Sequence, residues 1–458
     1  MLKPPVLKEL AQIVGRANLF TDAEELVVYS YDATRVSSLP SAVVRPSSAQ
    51  EVSDILRLAN REQIPVVPRG AGTGMSGGSV PLQGGLVLSF ERMNAILEID
   101  ERNRMAVVEP GVITGDLQRE VEAKGLFYPP DPASHQFCTL GGNIAECAGG
   151  LRAVKYGVTR DYVLGLEVVL PTGEIIGTGS RTLKCVAGYD LTRLIVGSEG
   201  TLGVVTKIVL RLLSLPESVR TLAAFFPDVG SAALAITAIL SGKVVPRALE
   251  LIDEGSLAAA ENYLKQDIAG GARAMVLAEV DGASQTTERE IAVVEQACRE
   301  AGASSVTRAE EQADRDRLWK IRRSISPALY TIKPRKRSED IVVPPARIPD
   351  ILAQIQVIAQ RHGLLIVNFG HAGDGNIHVN ILLEDEEQSA AKLAEQEILA
   401  AVLGMQGSIS GEHGIGFSKA DYLPMETGAA ALEAMKKIKR ALDPNNILNP
   451  GKIFLEKP

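Results

Sequence analysis

A chain of 458 residues is long enough for two or three separate cores, and 45% hydrophobic with 23% charged residues is the composition of an ordinary globular protein. A net charge of −8 speaks against nucleic acid as a partner. No apolar run approaches the roughly 20 residues of a membrane helix, and none follows Met1-Leu2-Lys3-Pro4-Pro5 as a signal would, so a cytoplasmic protein with no transmembrane segment is expected.

The four cysteines, Cys138, Cys147, Cys185 and Cys298, lack Cys-x2-Cys spacing, so neither a structural zinc nor an iron–sulfur cluster is expected within the chain. A short N-terminal helix leads to a strand at 42–44. Ser48-Ala49-Gln50-Glu51 has the form of a capping box and opens a helix with Val52, Ile55, Leu56 and Ala59 on one face. The next strand, 64–67, delivers the chain into Arg69-Gly70-Ala71-Gly72-Thr73-Gly74-Met75-Ser76-Gly77-Gly78. Here Gly72, Gly74 and Gly77 match the dinucleotide fingerprint in spacing, but that fingerprint must open a helix. Ser79-Val80-Pro81 and a strand at 86–88 follow instead, which excludes the Rossmann arrangement. A cradle of backbone N–H groups for phosphate and a plain turn-rich loop both remain open.

A strand at 105–109 and a helix at 114–124 closed by Gly125 come next, then the rigid Tyr128-Pro129-Pro130-Asp131-Pro132. Two further glycine-rich segments follow, 140–150 and 197–203, separated by a hairpin of 166–170 with 174–177 around Pro171-Thr172-Gly173. Beyond Pro216 strands at 221–226, 248–252 and 275–280 alternate with helices at 231–240 and 287–301, the pattern of an α/β layer. Arg322 and Arg323 end an amphipathic helix around Leu318, Trp319 and Ile321; a guanidinium fork suits a carboxylate, and a solvated helix charge is the other reading. Lys333-Pro334-Arg335-Lys336-Arg337 reads as a solvated loop that could steer anions or a partner.

Gly370-His371-Ala372-Gly373-Asp374-Gly375-Asn376-Ile377-His378 lies between an apolar stretch at 364–369 and an alternating one at 377–381, so it joins two strands with both imidazoles facing one pocket. With Gly411-Glu412-His413-Gly414 it assembles the three N and O ligands and open position of a catalytic metal site: His371, His378 and Glu412. His413 is then left over as a general base. Spacing alone also allows both histidines to hydrogen-bond the loop backbone. A helix near 429–442 and the segment 443–452 complete the chain, which shows no internal repeat and no low-complexity linker.

The succession Pro-Arg-Gly-x-Gly-Thr-Gly, Leu-Gly-Gly-Asn, Gly-Ser-Glu-Gly-Thr-Leu-Gly, Gly-His-x-Gly-Asp-Gly-Asn-x-His and Gly-Glu-His-Gly-x-Gly resembles the FAD-linked 2-hydroxy acid dehydrogenases of the vanillyl-alcohol oxidase superfamily, over nearly the whole chain. The resemblance implies an α+β fold: a two-part FAD-binding domain at 1–215 with its core at 38–215, an α/β cap carrying substrate and metal at 216–415, and a tail at 416–458 returning to the FAD domain. It implies FAD contacts from Pro68, Arg69, Gly70, Ala71, Gly72, Thr73, Gly74, Ser76, Gly77, Pro132, Leu140, Gly141, Gly142, Asn143, Gly149, Gly150, Glu199, Gly200, Gly203, Val204 and Asn449. Cys147 stands where relatives often carry Asn, at a weak flavin contact.

By the same resemblance, Arg322 clamps the substrate carboxylate with Ser326 and Asn380 in support. His371, His378 and Glu412 hold a divalent metal (Zn, Mn, Fe or Co), and His413 takes the hydroxyl proton. The implied reaction is oxidation of a small D-2-hydroxy acid, D-lactate or glycolate, with hydride to flavin N5. The acceptor stays open between quinone, an iron–sulfur subunit and an electron-transferring flavoprotein, and association with a membrane would run through partner subunits. A homodimer, a D-2-hydroxyglutarate dehydrogenase, an oxygen-using oxidase, a redox-neutral flavin enzyme of the alkyl-glycerone-phosphate synthase kind and a non-catalytic flavin subunit stay open. Where the D-2-hydroxyglutarate enzymes hold the distal carboxylate with a lysine, alignment on Asp340-Ile341-Val342-Val343-Pro344 places Ser338; Lys336 is the competing candidate.

Overall fold

The computed structural model of the chain describes residues 2–455, which form two units that the chain enters in turn. The first is built from residues 1–149, 158–215 and 412–458, the second from 150–157 and 216–411.

The first unit starts with helix α1 (Pro4–Val14) and the short strand β1 (Leu19–Phe20), followed by β2 (Ala42–Val44), α2 (Ala49–Glu62), β3 (Val66–Arg69) and β4 (Leu86–Ser89). The strands form one sheet in the order β1-β2-β4-β3, with β2, β4 and β3 parallel. Parallel neighbours need a crossover, and α2 supplies it between β2 and β3. The Ser48 side chain accepts from the Glu51 N–H (3.2 Å), as a capping box requires, but the reciprocal bond is displaced by one residue: the Glu51 carboxylate accepts from the Ser47 N–H (2.7 Å). Val52, Ile55, Leu56 and Ala59 of α2 are fully buried against the sheet with Val6 and Leu10 of α1.

A second sheet holds β5 (Ile96–Asp100), β6 (Met105–Val108), β7 (Val163–Val169), β8 (Ile175–Gly179) and β9 (Val204–Arg211) in the order β5-β6-β9-β7-β8, antiparallel throughout. The hairpin expected around Pro171-Thr172-Gly173 is β7–β8. Between β6 and β7 lie helices α3 (Thr114–Glu122) and α4 (Leu140–Glu146). The glycine-rich stretch from Leu140 is therefore helical as far as Glu146. Thr139 explains it: the side chain accepts from the Gly142 N–H (3.3 Å) and caps the first turn, which outweighs the poor helix propensity of Gly141 and Gly142. No helix opens from the 70–78 segment.

The second unit is one seven-stranded antiparallel sheet with helices. Its elements in chain order are β10 (Ser218–Phe226), α5 (Val229–Ser241), β11 (Ala248–Asp253), α6 (Glu254–Leu264), β12 (Ala274–Gly282), α7 (Ser284–Glu300), β13 (Ser305–Ala309) and α8 (Gln312–Ala328). Then follow β14 (Arg335–Val342), α9 (Ile348–His362), β15 (Leu365–His371), β16 (Asn376–Leu383) and α10 (Gln388–Gly404). The strand order is β13-β10-β12-β11-β15-β16-β14. Leu257 and Ala260 of α6 and Leu318, Trp319, Ile321 and Ile325 of α8 pack with Val367, Phe369 and Leu382 of the sheet, so α6 and α8 share one of its faces.

Two expectations for this unit change. Arg322 and Arg323 do not end their helix, which runs six residues past Arg322 because Ser324, Ile325 and Ala328 continue the buried stripe. The basic 333–337 segment is not a loop: from Arg335 it is the edge strand β14, paired with β16. Three of its four charges meet acids, Lys333 with Glu387, Arg335 with Asp385 and Arg337 with Glu395, so cross-strand pairing and these ion pairs override the polarity that suggested solvent.

The chain re-enters the first unit at Glu412, and after α11 (Ala429–Leu442) the described residues continue through turns and bends. Ile447 and Leu448 join the core beneath the parallel sheet, where Leu448 bridges Val66. No helix among the described residues is long and apolar enough to cross a membrane.

Candidate flavin cavity and acid-binding face

In the first unit a cavity of about 230 Å³ is lined by the glycine-rich segments. Pro68, Arg69, Gly70, Ala71, Gly72, Thr73 and Gly74 form one wall; Pro132, Gly141, Gly142 and Asn143 another; Glu199, Gly200, Gly203 and Val204 a third. A Cβ on Gly74 would meet nothing within 4 Å, so the backbone stands bare toward this space. At Gly70 the need for glycine is steric, because a Cβ would come within 2.2 Å of Thr139 Oγ1, the cap of α4. The two glycine segments thus meet through one hydroxyl. A bare backbone wall with its N–H groups available is the kind of surface that receives phosphate oxygens, and it fits a dinucleotide cofactor.

Other residues expected at the flavin are not among those lining this cavity. Ser76, Gly77, Leu140, Gly149 and Asn449 are not in the lining; Gly77 faces Phe417, and Leu140 is buried. The Asn449 side chain donates to the carbonyls of Gly78 (2.9 Å) and Glu199 (2.8 Å), tying the tail to two cavity loops. Gly150 begins the 150–157 segment that belongs to the second unit. Cys147 is also outside the lining; it closes α4 at φ +56°, the left-handed position that Asn tolerates better than most residues, so an Asn there serves the backbone.

Glu412 and His413 line the same cavity, with His413 Nε2 3.9 Å from Glu412 Oε1. Their segment is fixed by Glu199, whose carboxylate accepts from the N–H groups of Ile415 (2.8 Å) and Gly416 (2.6 Å). Met75, Ser134, Thr139 and Glu146 also line the cavity and escaped the sequence reading. Glu146 is the least expected of them. Burial, then the nearby Glu199 and Asp32 carboxylates, hold its carboxyl well above the usual carboxylate range; burial raises Glu199 too, opposed by the N–H donors of Ile415 and Gly416 and by Lys452.

The second unit presents its polar residues on the sheet face that α8 covers. Residues two apart on a strand share a face, so Phe369 and His371 on β15 align with His378 and Asn380 on β16 and with Ser338 and Asp340 on β14. The histidines lie on strand ends flanking a turn whose Gly373 N–H donates to Leu249 O (3.0 Å). Their rings meet edge to face at 5.1 Å, and His378 Nδ1 is 3.9 Å from Asp340 Oδ1. Arg322 reaches down from α8 over the Phe369 ring (4.7 Å), and its Nε donates to Glu250 Oε2 (2.6 Å). The other oxygen of Glu250 meets His371 Nδ1 (2.7 Å). Burial alone would raise the Glu250 carboxyl, but the charges of His371 and Arg322 and their hydrogen bonds outweigh it and bring it down to about 2.

The remaining expected contacts are close by. Ser326 Oγ accepts from Lys336 Nζ (2.8 Å), and Asn380 Oδ1 from Ser338 Oγ (2.7 Å). Glu250 was not anticipated, although one acid inside the apolar Ala248-Leu249-Glu250-Leu251-Ile252 is a signal of a paired charge. Two imidazoles beside a carboxylate are a donor set that suits zinc, manganese, iron or cobalt.

Residues 215–453 match the family model described as FAD linked oxidases, C-terminal domain, and residues 40–179 match an FAD binding domain. This chain belongs to the FAD-linked oxidases. Among proteins similar to this FAD-linked oxidase, the glycolate oxidase subunit GlcD of Bacillus subtilis (strain 168) is 45% identical over 458 residues, covering 99% of this chain and 97% of the relative. A D-lactate dehydrogenase of Anaerostipes hadrus is 36% identical over 470 residues, covering 98% and 97%. The fold is that of p-cresol methylhydroxylase with substrate bound, matched at a TM-score of 0.82 and 20% identity over 99% of this chain and 96% of that one. FAD is accordingly the cofactor of this FAD-linked oxidase, which makes it an oxidoreductase.

Proposed function

We propose that the enzyme oxidises a small D-2-hydroxy acid, D-lactate or glycolate, to the 2-oxo acid and passes the electrons to an acceptor other than oxygen. The observation that carries this reading is Arg322: a buried guanidinium held through Nε beside two imidazoles, on the face of the second unit's sheet. The names of the relatives, glycolate oxidase subunit and D-lactate dehydrogenase, point the same way.

FAD, when bound, would supply the two-electron redox chemistry, and a divalent cation would supply positive charge that favours ionisation of the substrate hydroxyl. The protein's own part is binding, orientation and proton transfer. With Nε committed to Glu250, Arg322 offers its two terminal nitrogens side by side, the edge that receives a carboxylate in a two-pronged contact. Asn380 and Ser326 add neutral polar contacts. His371, His378 and Glu412 would hold the cation; the chain supports this reading because Glu412 directly follows Gly411, whose N–H donates to Asp340 Oδ2 (2.9 Å) on the histidine face. His413, at the flavin cavity, takes the hydroxyl proton. The relative named as a subunit suggests an electron-accepting partner chain, an iron–sulfur subunit or an electron-transferring flavoprotein. Both are consistent with four free cysteines and no ligand spacing in this chain.

A diacid such as D-2-hydroxyglutarate is the second reading, and Lys336 favours it: the side chain points to the same face as Ser338 and contacts Ser326. The monoacid reading is stronger because the Lys336 ammonium is already engaged, by Ser326 Oγ, the Ser326 carbonyl (3.4 Å) and the Tyr330 ring (5.0 Å). Releasing it would cost those contacts.

The test is a steady-state comparison of glycolate, both lactate enantiomers, D-malate and D-2-hydroxyglutarate with a dye acceptor and with oxygen. D-Lactate or glycolate should give the highest kcat/KM, and the dye should outperform oxygen. A diacid that wins, with the advantage abolished by Lys336→Ala, overturns the small-substrate reading. Prolonged chelation should abolish turnover with FAD still bound, and zinc, manganese or cobalt should restore it; full activity in metal-free enzyme removes the cation from the mechanism.

A further inference from the structure

We propose that Glu250 is a positioning residue that sets the substrate-binding arginine and the metal-binding histidine at once, by accepting one hydrogen bond from each through different oxygens. This rests on the reading of Arg322 and His371 given above. The geometry is local to the second unit. Glu250 is in the middle of β11, fully buried among Leu249, Leu251 and Ile252, and β11 pairs with β15 so that Leu251 stands opposite Gly370 and Ile252 opposite Phe369. Glu250 is thereby the β11 residue nearest to His371. An isolated carboxylate at such a place would be strongly disfavoured; two cationic or donor partners at 2.6 and 2.7 Å are what make it tolerable.

Each bond restricts its partner in a way the chemistry uses. A carboxylate can only accept, so Nδ1 of His371 keeps its proton in either charge state, and when the ring gives up its other proton to bind a cation the lone pair is on Nε2, the atom the cation needs. A carboxylate behind a ligating imidazole also fixes the ring plane and raises its basicity. On the other oxygen, the side-on bond to Nε turns the Arg322 guanidinium about its long axis and leaves the terminal edge for a ligand. Among the described residues this is the hydrogen bond through which the structure holds that guanidinium, with the Phe369 ring beneath it. Because both bonds end on one carboxyl group, the separation between the carboxylate anchor and the cation is fixed by a single side chain. In a 2-hydroxy acid these two anchors must meet C1 and the C2 hydroxyl, which are adjacent, so one rigid spacer is an effective way to fix the distance between them.

The decisive variants are Glu250→Gln and Glu250→Asp, purified with FAD. Glutamine keeps the volume but has one acceptor oxygen and one NH2 group, so it must either face a donor with a donor or force His371 into the other tautomer. Aspartate is one methylene shorter and keeps both acceptors. The first readout needs no turnover: zinc or manganese affinity by competition with a chelator. Glu250→Gln should weaken it about 10- to 100-fold with FAD content unchanged, the range seen when a carboxylate behind a ligating histidine is lost. Glu250→Asp should retain more than Glu250→Gln, the reverse of what packing alone would give. The second readout is binding of the 2-oxo acid product, followed by the flavin absorbance at saturating metal. It should weaken in Glu250→Gln, and Glu250→Gln should add nothing further once Arg322→Ala is present.

Unchanged metal affinity in Glu250→Gln overturns the proposal, as does a larger loss in the aspartate variant. If the wild type oxidises none of the 2-hydroxy acids, the proposed function fails; the metal arm still decides whether Glu250 positions His371. A wild type that binds neither zinc nor manganese overturns the histidine half directly.

Discussion

Lys452 shows how far the first unit goes to order its loops. The ammonium is buried and donates to the carbonyls of Gly77 (2.6 Å) and Val80 (2.7 Å), beside the flavin cavity's glycine loop. Burial pushes its pKa down to about 8, with Asp32, Glu199 and Glu146 opposing the shift. The folded value lies below that of the unfolded chain, so between pH 8 and about 10.5 the unfolded state binds more protons. The contribution of Lys452 to stability must therefore rise with pH across that window, by about 3 kcal/mol at most. Thermal melting followed from pH 7 to 10 should show this rise in the wild type, and Lys452→Met should flatten it. Equal pH slopes in the two proteins would mean the ammonium is better solvated than its burial implies.

Between elements, the contact to examine is the one between the 70–74 loop and helix α4. Thr139 caps α4 and at the same time occupies the space in front of Gly70, so two glycine-rich walls of the cavity depend on one side chain. Gly70→Ala should push the loop away from the helix and lower FAD content in the purified protein. The double variant Gly70→Ala, Thr139→Ala removes the oxygen at 2.2 Å and leaves as next neighbour the Cβ of residue 139 at 3.5 Å, an ordinary contact that alanine keeps. It should recover much of the bound FAD, at the cost of about 1 kcal/mol for the lost cap. If Gly70→Ala alone retains full FAD, the loop moves without consequence and the shared hydroxyl is unimportant.

At the scale of the whole chain, the last segment is an integral part of the first unit and not an appendage. Ile447 and Leu448 fill its core, the Val66 N–H donates to the Ile447 carbonyl (2.7 Å), and the buried Lys439 donates to the carbonyls of Thr201 (2.9 Å) and Leu448 (2.8 Å). A chain ended at Gly411 should consequently fail to retain FAD, and co-expression of residues 412–458 as a separate piece should restore some binding. Undiminished FAD in the truncated chain would show that the return segment contributes only Glu412 and His413.

Local signals in the sequence determined most elements. Short apolar runs marked strands in both units, the Ser48 cap marked the start of α2, and the absence of a helix after Gly77 removed the Rossmann arrangement. Motif order was enough for the family and for FAD. The tertiary structure decided what depends on partners far apart in sequence. The 333–337 charges became a strand only because β16, Glu387, Asp385 and Glu395 were there to meet them. Cys147 proved to occupy a left-handed backbone position, which no residue type announces. Glu250, lying 72 residues before Arg322 and 121 before His371, could be paired with neither until β11, β15 and α8 were folded together. Chain pattern specifies which residues face one way; which charges then neutralise one another is fixed by distance, and distance is a property of the fold.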